Sequence, residues 1–187
     1  NAPIADLDVM NLAVPVMGLC YGAQFLAASN GGKVEKSAHR EYGRAKIVVE
    51  QESALLQDIT DGSQVWMSHG DTILALPEDT TIIARTESIP IAAYRFNNKE
   101  VYALQFHPEV SHSTDGQQIL SNFAHKICGC KGDWTPAHFV TESVAFYKES
   151  IGTDKVIMGL SGGVDSSVAA FILNQAIGGN LVGIFVN

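Results

Sequence analysis

A cysteine set among glycines, Gly18-Leu19-Cys20-Tyr21-Gly22, stands where an apolar run gives way to a helical pattern, and this corner most constrains the fold open to the chain. Val14-Pro15-Val16-Met17 reads as a strand. Ala23, Phe25, Leu26, Ala27 and Ala28 read as a helix that Gly31 and Gly32 can end. A strand that turns at once into a helix, with a reactive side chain at the corner, is a nucleophile elbow. The corner residue is held in a strained backbone conformation, so the glycines keep the turn tight and the sulfur stands clear of the sheet. A free thiol has a pKa of about 8.5, and the positive end of the following helix is expected to favour its anion. On its own, Cys20 reads equally as a small buried apolar residue.

A second segment supplies partners for the thiol. Val101-Tyr102-Ala103-Leu104-Gln105 reads as a strand, and Phe106-His107-Pro108-Glu109 follows it directly. His107 is a base for the thiol proton, and Glu109 is placed to hold the imidazole tautomer and to stabilise the imidazolium. Pro108 stiffens the link between them. A lone histidine at a strand end is more often a satisfied structural residue, but a carboxylate two positions on suits the cysteine better.

Gly-Leu-Cys-Tyr-Gly-Ala-Gln with a later Phe-His-Pro-Glu resembles the class I glutamine amidotransferases, whose glutaminase domain releases ammonia from the side-chain amide of glutamine. The resemblance implies Cys20 as nucleophile, with His107 and Glu109 as its triad partners. It implies a glutamine pocket lined by Gln24, by Tyr21, whose N–H is the elbow donor to the oxyanion, and by Ser68-His69-Gly70-Asp71. Asp71 fits the variant typical of the GMP synthases. By residue type alone, Ser68 to Asp71 is a polar turn following the strand-like Gln64-Val65-Trp66-Met67.

Further on, Lys155-Val156-Ile157-Met158-Gly159-Leu160 reads as a buried strand. Ser161-Gly162-Gly163-Val164-Asp165-Ser166-Ser167 follows, and then an apolar helix from Val168 to Ile177. Two glycines let successive N–H groups converge on an anion, serine hydroxyls add donors, and the helix N-terminus adds partial positive charge. Asp165 suits a magnesium ion, which is content with one or two carboxylates when phosphate oxygens complete its shell. The alternative is a glycine-rich turn with a Ser or Asp cap. A Walker A loop is excluded, because it needs a Gly-Lys-Ser/Thr end and no lysine lies between Gly159 and Asn187.

Ser-Gly-Gly-Val-Asp-Ser-Ser resembles the PP-loop of ATP pyrophosphatases. The order of a class I glutaminase followed by a PP-loop unit resembles the glutamine-hydrolysing GMP synthases, and Ile127 to Thr135 looks like their interdomain stretch. The implied fold is α/β: a partial class I glutaminase, a flavodoxin-like mixed sheet flanked by helices, over residues 1–130. Residues 131–187 follow as the first βαβ unit of a PP-loop domain, adenine nucleotide alpha hydrolase-like. The implied substrates are glutamine, ATP and XMP, with Mg2+ as cofactor, GMP as product and AMP and pyrophosphate released. A homodimer is implied for the full-length protein. Other amidotransferase-linked PP-loop synthetases and a catalytically silent nucleotide-binding fragment are the alternatives, and a cysteine peptidase built on the same elbow is disfavoured by the PP-loop.

Composition sets limits. With 46% hydrophobic residues among 187, the chain can bury real cores. Its net charge of -8 argues against a polyanion-binding surface, so no nucleic-acid partner is expected. No stretch approaches the roughly 18 consecutive apolar residues that span a bilayer, and no basic cleavable leader opens the chain, so a cytoplasmic enzyme is expected. Three cysteines, an odd count, fit reducing conditions. Cys128 and Cys130, near His125 and His138, are spaced too closely for the usual zinc pairing and are expected to be incidental thiols. His39 and His112 are expected on the surface.

The remaining pattern predicts strands over 45–49, 65–67, 81–85, 91–96, 101–105 and 181–186, and helices over 117–127 and 135–151, with Gly152 as C-terminal stop. No internal repeat appears. The chain opens on Asn1. The resemblance implies strands and a glycine-rich oxyanion loop before the elbow, and more of the nucleotide unit after Asn187. An internal fragment is therefore expected, its activity impaired because one lost oxyanion donor costs about a hundred- to a thousandfold in rate.

Overall fold

Apolar positions recur in short runs separated by turns, and the computed structural model resolves them into two units, Asn1–Lys131 and Gly132–Asn187. It describes residues 8–185, with backbone alone for 37–41, so His39 lies outside the described side chains.

In the first unit the elements run in this order: β1 (Val16–Leu19), α1 (Tyr21–Ser29), β2 (Lys33–Lys46), β3 (Val48–Val49), β4 (Gln64–Ala75), β5 (Thr80–Arg85), β6 (Ala93–Phe96), β7 (Val101–Leu104) and α2 (Gly116–Ser121). A π-helical turn, Asn122–Ile127, continues α2. Among the described residues, five strands form a mixed sheet in the order β1-β7-β6-β5-β3, while β2 and β4 pair separately as an antiparallel ribbon. Only β1 and β7 run parallel there, with Val16 opposite Val101 and Leu19 opposite Leu104.

β7 is buried throughout, because both sheet faces are covered. Val101 and Ala103 pack with Ala23, Leu26 and Ala27 of α1 and with Tyr94. Tyr102 and Leu104 face the opposite cluster, with Met67, Phe106 and Ile119. Each large aliphatic side chain so buried contributes about 1.5–3 kcal/mol. The Tyr94 hydroxyl donates to Ala23 O at 2.7 Å, tying α1 to β6.

Several boundaries differ from the sequence pattern: β2 begins at Lys33, where no strand is expected until 45, and the strand expected over 45–49 is divided between β2 and β3. Strand β4 extends well past 67, so Ser68 to Asp71 lie inside a strand and not in a turn. Their backbone pairs with β2 across a register shift, with Tyr42 opposite Ser68 and Lys36 opposite Asp71. A remote partner thus supplies the hydrogen bonds that polar residues usually seek in turns. The helix predicted over 117–127 changes to π-helical winding at Asn122, whose buried amide donates to Leu55 O and Gln57 O at 3.0 and 2.7 Å.

In the second unit, α3 (Pro136–Ile151) starts at Thr135, whose hydroxyl accepts from His138 N–H at 3.1 Å. Gly152, at φ +61°, stops it in a backbone region that suits glycine. Then come β8 (Val156–Leu160), α4 (Val164–Ile177) and β9 (Leu181–Phe185). β8 and β9 are parallel neighbours, completing a βαβ unit. Here lies a further difference: α4 begins at Val164, so Val164 to Ser167 form its first turn and not a loop. The Ser166 and Ser167 hydroxyls both donate to Gly163 O, at 3.1 and 2.8 Å, and draw the segment into helix.

Gly18, Gly32 and Gly116 hold the first unit's elements in close approach. A Cβ on Gly18 would lie 2.7 Å from both the Gly22 carbonyl carbon and Leu26 Cδ1, whereas one on Gly22 would meet nothing within 4 Å. Gly18→Ala is therefore expected to cost about 1–3 kcal/mol in urea denaturation. Gly22→Ala, in a helix with open space, is expected to raise stability by about 0.5–1 kcal/mol. A Cβ on Gly116 would stand 2.0 Å from Pro108 O. Gly116→Ala should accordingly lose at least as much stability as Gly18→Ala in the same denaturation.

Candidate active site

Cys20 sits at φ 48°, ψ −101°, outside the usual regions for a residue with a side chain, which is the strained corner an elbow requires. Both flanks hold it there. Its N–H donates to Leu104 O at 2.7 Å, carrying the β1–β7 ladder one residue further, and its carbonyl accepts from Ala23 and Gln24 N–H at 3.1 and 3.2 Å. Of the two elbow glycines, only Gly18 is required by packing.

The thiol is half-buried. It donates to Ser68 O at 3.6 Å, and the Gln105 amide approaches the sulfur at 3.9 Å. Burial pushes the Cys20 thiol up, against the expectation that the helix end would favour its anion. The Tyr21 N–H opposes this, the Glu109 carboxylate reinforces it, and Gln105 opposes it. Desolvation of the thiolate outweighs the helix terminus here.

His107 leaves β7 toward the same end of the sheet. Its N–H donates to Trp66 O at 3.0 Å, which ties the segment to β4. Its Nδ1 lies 2.7 Å from Glu109 Oε1, so the neutral ring carries its proton on Nδ1 and leaves Nε2 as the base. The buried Ser113 hydroxyl donates to His107 O at 2.5 Å and accepts from Trp66 N–H at 3.1 Å. Gly116 abuts Pro108 from the other side. The structure thus joins His107 to Glu109 directly. It carries Cys20 on the adjacent parallel strand end, where the thiol's own hydrogen bonds go to Ser68 and Gln105.

The residues expected around a pocket gather at the elbow. Gln24 is buried, and its Nε2 donates to Asp71 O at 2.8 Å. His69, also buried, donates from Nδ1 to the same carbonyl at 2.9 Å. Ser68 and Asp71 are exposed beside them, and Gly70 is half-buried. Tyr21 opens α1 with its ring exposed. Gln105, Ser113 and Gly116 escaped the sequence reading. Gln105 alone carried a signal, as the polar residue that ends an apolar strand just before His107.

In the second unit, Gly162 takes φ +78°, where a side chain would be strained, and Gly163 caps α4. The Ser161 and Ser166 hydroxyls lie 3.1 Å apart, and Gly163 N–H donates to Ser161 Oγ at 3.4 Å. Asp165 is exposed in the first turn of α4, at the edge of a cavity of about 410 Å³ lined also by Phe139, Tyr147 and Val168. The Ser166 and Ser167 hydroxyls are spent on Gly163 O, so what the turn offers an anion is the glycine backbone and the N-terminus of α4, the chemistry of a phosphate cradle. Among the described residues, no three His, Cys, Asp or Glu side chains gather to hold a metal. The His125 ring nitrogen bonds Cys130 O at 2.7 Å, and His138 pairs with Glu142 at 3.0 Å. His112 is exposed and packs on the Trp66 ring, with centroids 4.5 Å apart.

Comparison with known proteins matches these two regions separately. The family model for glutamine amidotransferase class I matches residues 1–127, and the model for NAD synthase matches residues 137–186. The chain is 54% identical over 183 residues to a glutamine-hydrolysing GMP synthase of Bacteroides fragilis, covering 97% of this chain and 36% of that protein. It is 55% identical to one of Phocaeicola vulgatus, with 97% and 35% covered, and 50% identical to one of Cytophaga hutchinsonii, with 100% and 37% covered. The chain therefore spans little more than a third of the length of these relatives. A solved structure from Thermoplasma acidophilum, described as that of a GMP synthase subunit, superposes with a TM-score of 0.62 at 34% identity, covering 65% of this chain and 60% of its own. Since the glutamine amidotransferase model takes in the strained elbow, the β1–β7 pair and the His107–Glu109 segment, the chain belongs to the class I glutamine amidotransferases.

Proposed function

We propose that the protein to which this chain belongs makes GMP by amination of XMP, taking ammonia from glutamine and energy from ATP. The observation that carries this reading is the order of parts in one chain. A class I glutaminase region is followed by a PP-loop region, at 50–55% identity to glutamine-hydrolysing GMP synthases across both.

Glutamine hydrolysis falls to the first unit. Cys20 Sγ attacks the side-chain amide carbon, with its proton passing to His107 Nε2, and Glu109 stabilises the imidazolium through Nδ1. The Tyr21 N–H donates to the oxyanion. His107 returns the proton to the leaving nitrogen, ammonia departs, and water then hydrolyses the glutamyl thioester to glutamate. Gln24 and the Ser68 to Asp71 segment of β4 line the pocket that holds the amide in place.

The second unit consumes the ammonia. The Ser161–Gly163 turn and the N-terminus of α4 cradle the phosphates of ATP, with the Ser166 and Ser167 hydroxyls turning from Gly163 O toward them, and the oxygen at C2 of XMP displaces pyrophosphate to form an adenylyl ester. Ammonia then attacks C2 and AMP leaves. Asp165, a single exposed carboxylate beside the cradle, would hold a magnesium ion, which would supply positive charge to the phosphates. We further assign the full-length protein to the cytoplasm and to a homodimer. Three free thiols, which fit a reducing compartment, support the location.

In the full-length protein, Cys20→Ala is expected to lower glutamine-dependent GMP formation by about a thousandfold or more, while amination by added ammonium salts stays within about twofold. Glutamine hydrolysis at the normal rate in that variant would sink the nucleophile assignment. Gly162→Ala should abolish GMP formation from either nitrogen source, measured as pyrophosphate release, because φ +78° strains any side chain there. Since burial raises the Cys20 thiol, glutamine hydrolysis is expected to go on climbing with pH beyond the point at which an exposed thiol would already have ionised, as thiolate accumulates. A profile that levels off where an exposed thiol ionises would show that another group limits the step.

A further inference from the structure

Gln105 is only 1% exposed, in the step between β7 and His107. A buried amide is tolerated when its oxygen and nitrogen are both partnered, and here the partners impose a direction. Asp71 O is a carbonyl and can only accept, so Gln24 presents its NH2 group to it, at 2.8 Å. The same NH2 reaches Gln105 at 3.2 Å, which obliges Gln105 to offer its oxygen there. Its own NH2 is thereby turned toward Cys20 Sγ, at 3.9 Å. The Gln105 backbone N–H is separately committed to Ala92 O at 2.8 Å, so the main chain cannot drift to relieve the arrangement. Two amides thus transmit the polarity of one backbone carbonyl to the sulfur.

The sulfur needs such a donor when it ionises. In the thiol form, S–H donates to Ser68 O at 3.6 Å. Loss of the proton removes that bond and leaves a half-buried anion facing a carbonyl oxygen. The titratable groups on the elements packed around it are Glu109 and His107 after β7, His69 and Asp71 on β4, and Tyr21 on α1; of these, Glu109 repels the anion. Among the described residues, the Tyr21 N–H and the Gln105 amide oppose it from within contact, and the His107 imidazolium joins them only while it holds the proton taken from the thiol. The Tyr21 N–H is the same group that the oxyanion of the substrate claims once attack begins.

We propose that Gln105 is a further residue of the catalytic machinery, the side-chain donor that holds the Cys20 thiolate while the elbow N–H is given over to the substrate, and that Gln24 aims it. The proposal rests on Cys20 being the nucleophile. It gives Gln24 a second role beside lining the pocket, and it explains why a polar side chain closes an otherwise apolar strand.

The test is the pH dependence of Cys20 alkylation by iodoacetamide on the intact chain, with Cys20 resolved from Cys128 and Cys130 by peptide mass spectrometry. Gln105→Met keeps the length and most of the volume but removes the donor. It is expected to move the alkylation midpoint up by about one pH unit, so that labelling at pH 7 falls about tenfold. Gln24→Met, which leaves the donor but frees its direction, should move the midpoint the same way by less. A Gln105 that merely fills space would lower the melting temperature and leave the midpoint in place, and an unchanged midpoint in folded Gln105→Met overturns the proposal. Should that variant not fold by circular dichroism, Gln105→Asn, which draws the amide back by one methylene, and Gln24→Met decide it: unchanged midpoints in both overturn it. If wild-type Cys20 itself labels no faster than Cys128 at any pH, the nucleophile assignment fails. A clear wild-type midpoint insensitive to Gln105 defeats only the present inference.

Discussion

Everything at the site hangs on the parallel pairing of β1 with β7. Because the two strands run the same way, the residues that follow them emerge at the same edge of the sheet, and these are Cys20 and the Gln105 to Glu109 segment. The Cys20 N–H extends that ladder to Leu104 O at 2.7 Å, so the elbow and the base segment share a hydrogen bond at the point where both leave the sheet. An antiparallel pairing would have sent them to opposite ends. Chemistry at the carboxyl ends of neighbouring parallel strands is the general habit of open α/β sheets, and here one parallel pair within an otherwise antiparallel sheet suffices.

Around that pair the protein carries several unfavourable conformations and burials that stability alone does not call for. Cys20 adopts a positive φ, its thiol is half-buried with its ionisation disfavoured, and Gln24, His69 and Gln105 are polar side chains in the interior. Strain and buried polarity of this kind persist where neighbours over-determine them. The neighbours are identifiable. Gly18 lets α1 settle on β1, Ser113 clamps the His107 carbonyl to β4, and Gly116 lets α2 press against Pro108.

Much of this was legible in the sequence. The elbow, the His107–Glu109 pair and the Ser161–Gly163 turn each lie within a few consecutive residues, so local spacing and glycine placement reveal them. The Ser68 to Asp71 segment was misread as a turn because its hydrogen-bond partner, β2, lies some thirty residues away and pairs through an irregular register. The first turn of α4 was misread as loop because serines and aspartate favour caps, and only the bonds from Ser166 and Ser167 back to Gly163 O show that they continue into helix. The direction of the Cys20 shift was misjudged for a related reason. A helix terminus can be read from sequence, but the burial that outweighs it cannot.

By itself, then, the sequence determined which reactive groups the chain carries, their order, and the two strand-turn-helix corners that present them, since those depend on residue type and short-range geometry. Tertiary structure alone decided that β1 and β7 are parallel neighbours, that β4 lies across the elbow, and that the amides of Gln24 and Gln105 line up on the sulfur. These are pairings between segments up to some eighty residues apart, set by which apolar faces pack together and by the need to satisfy every buried polar group. No local pattern encodes them.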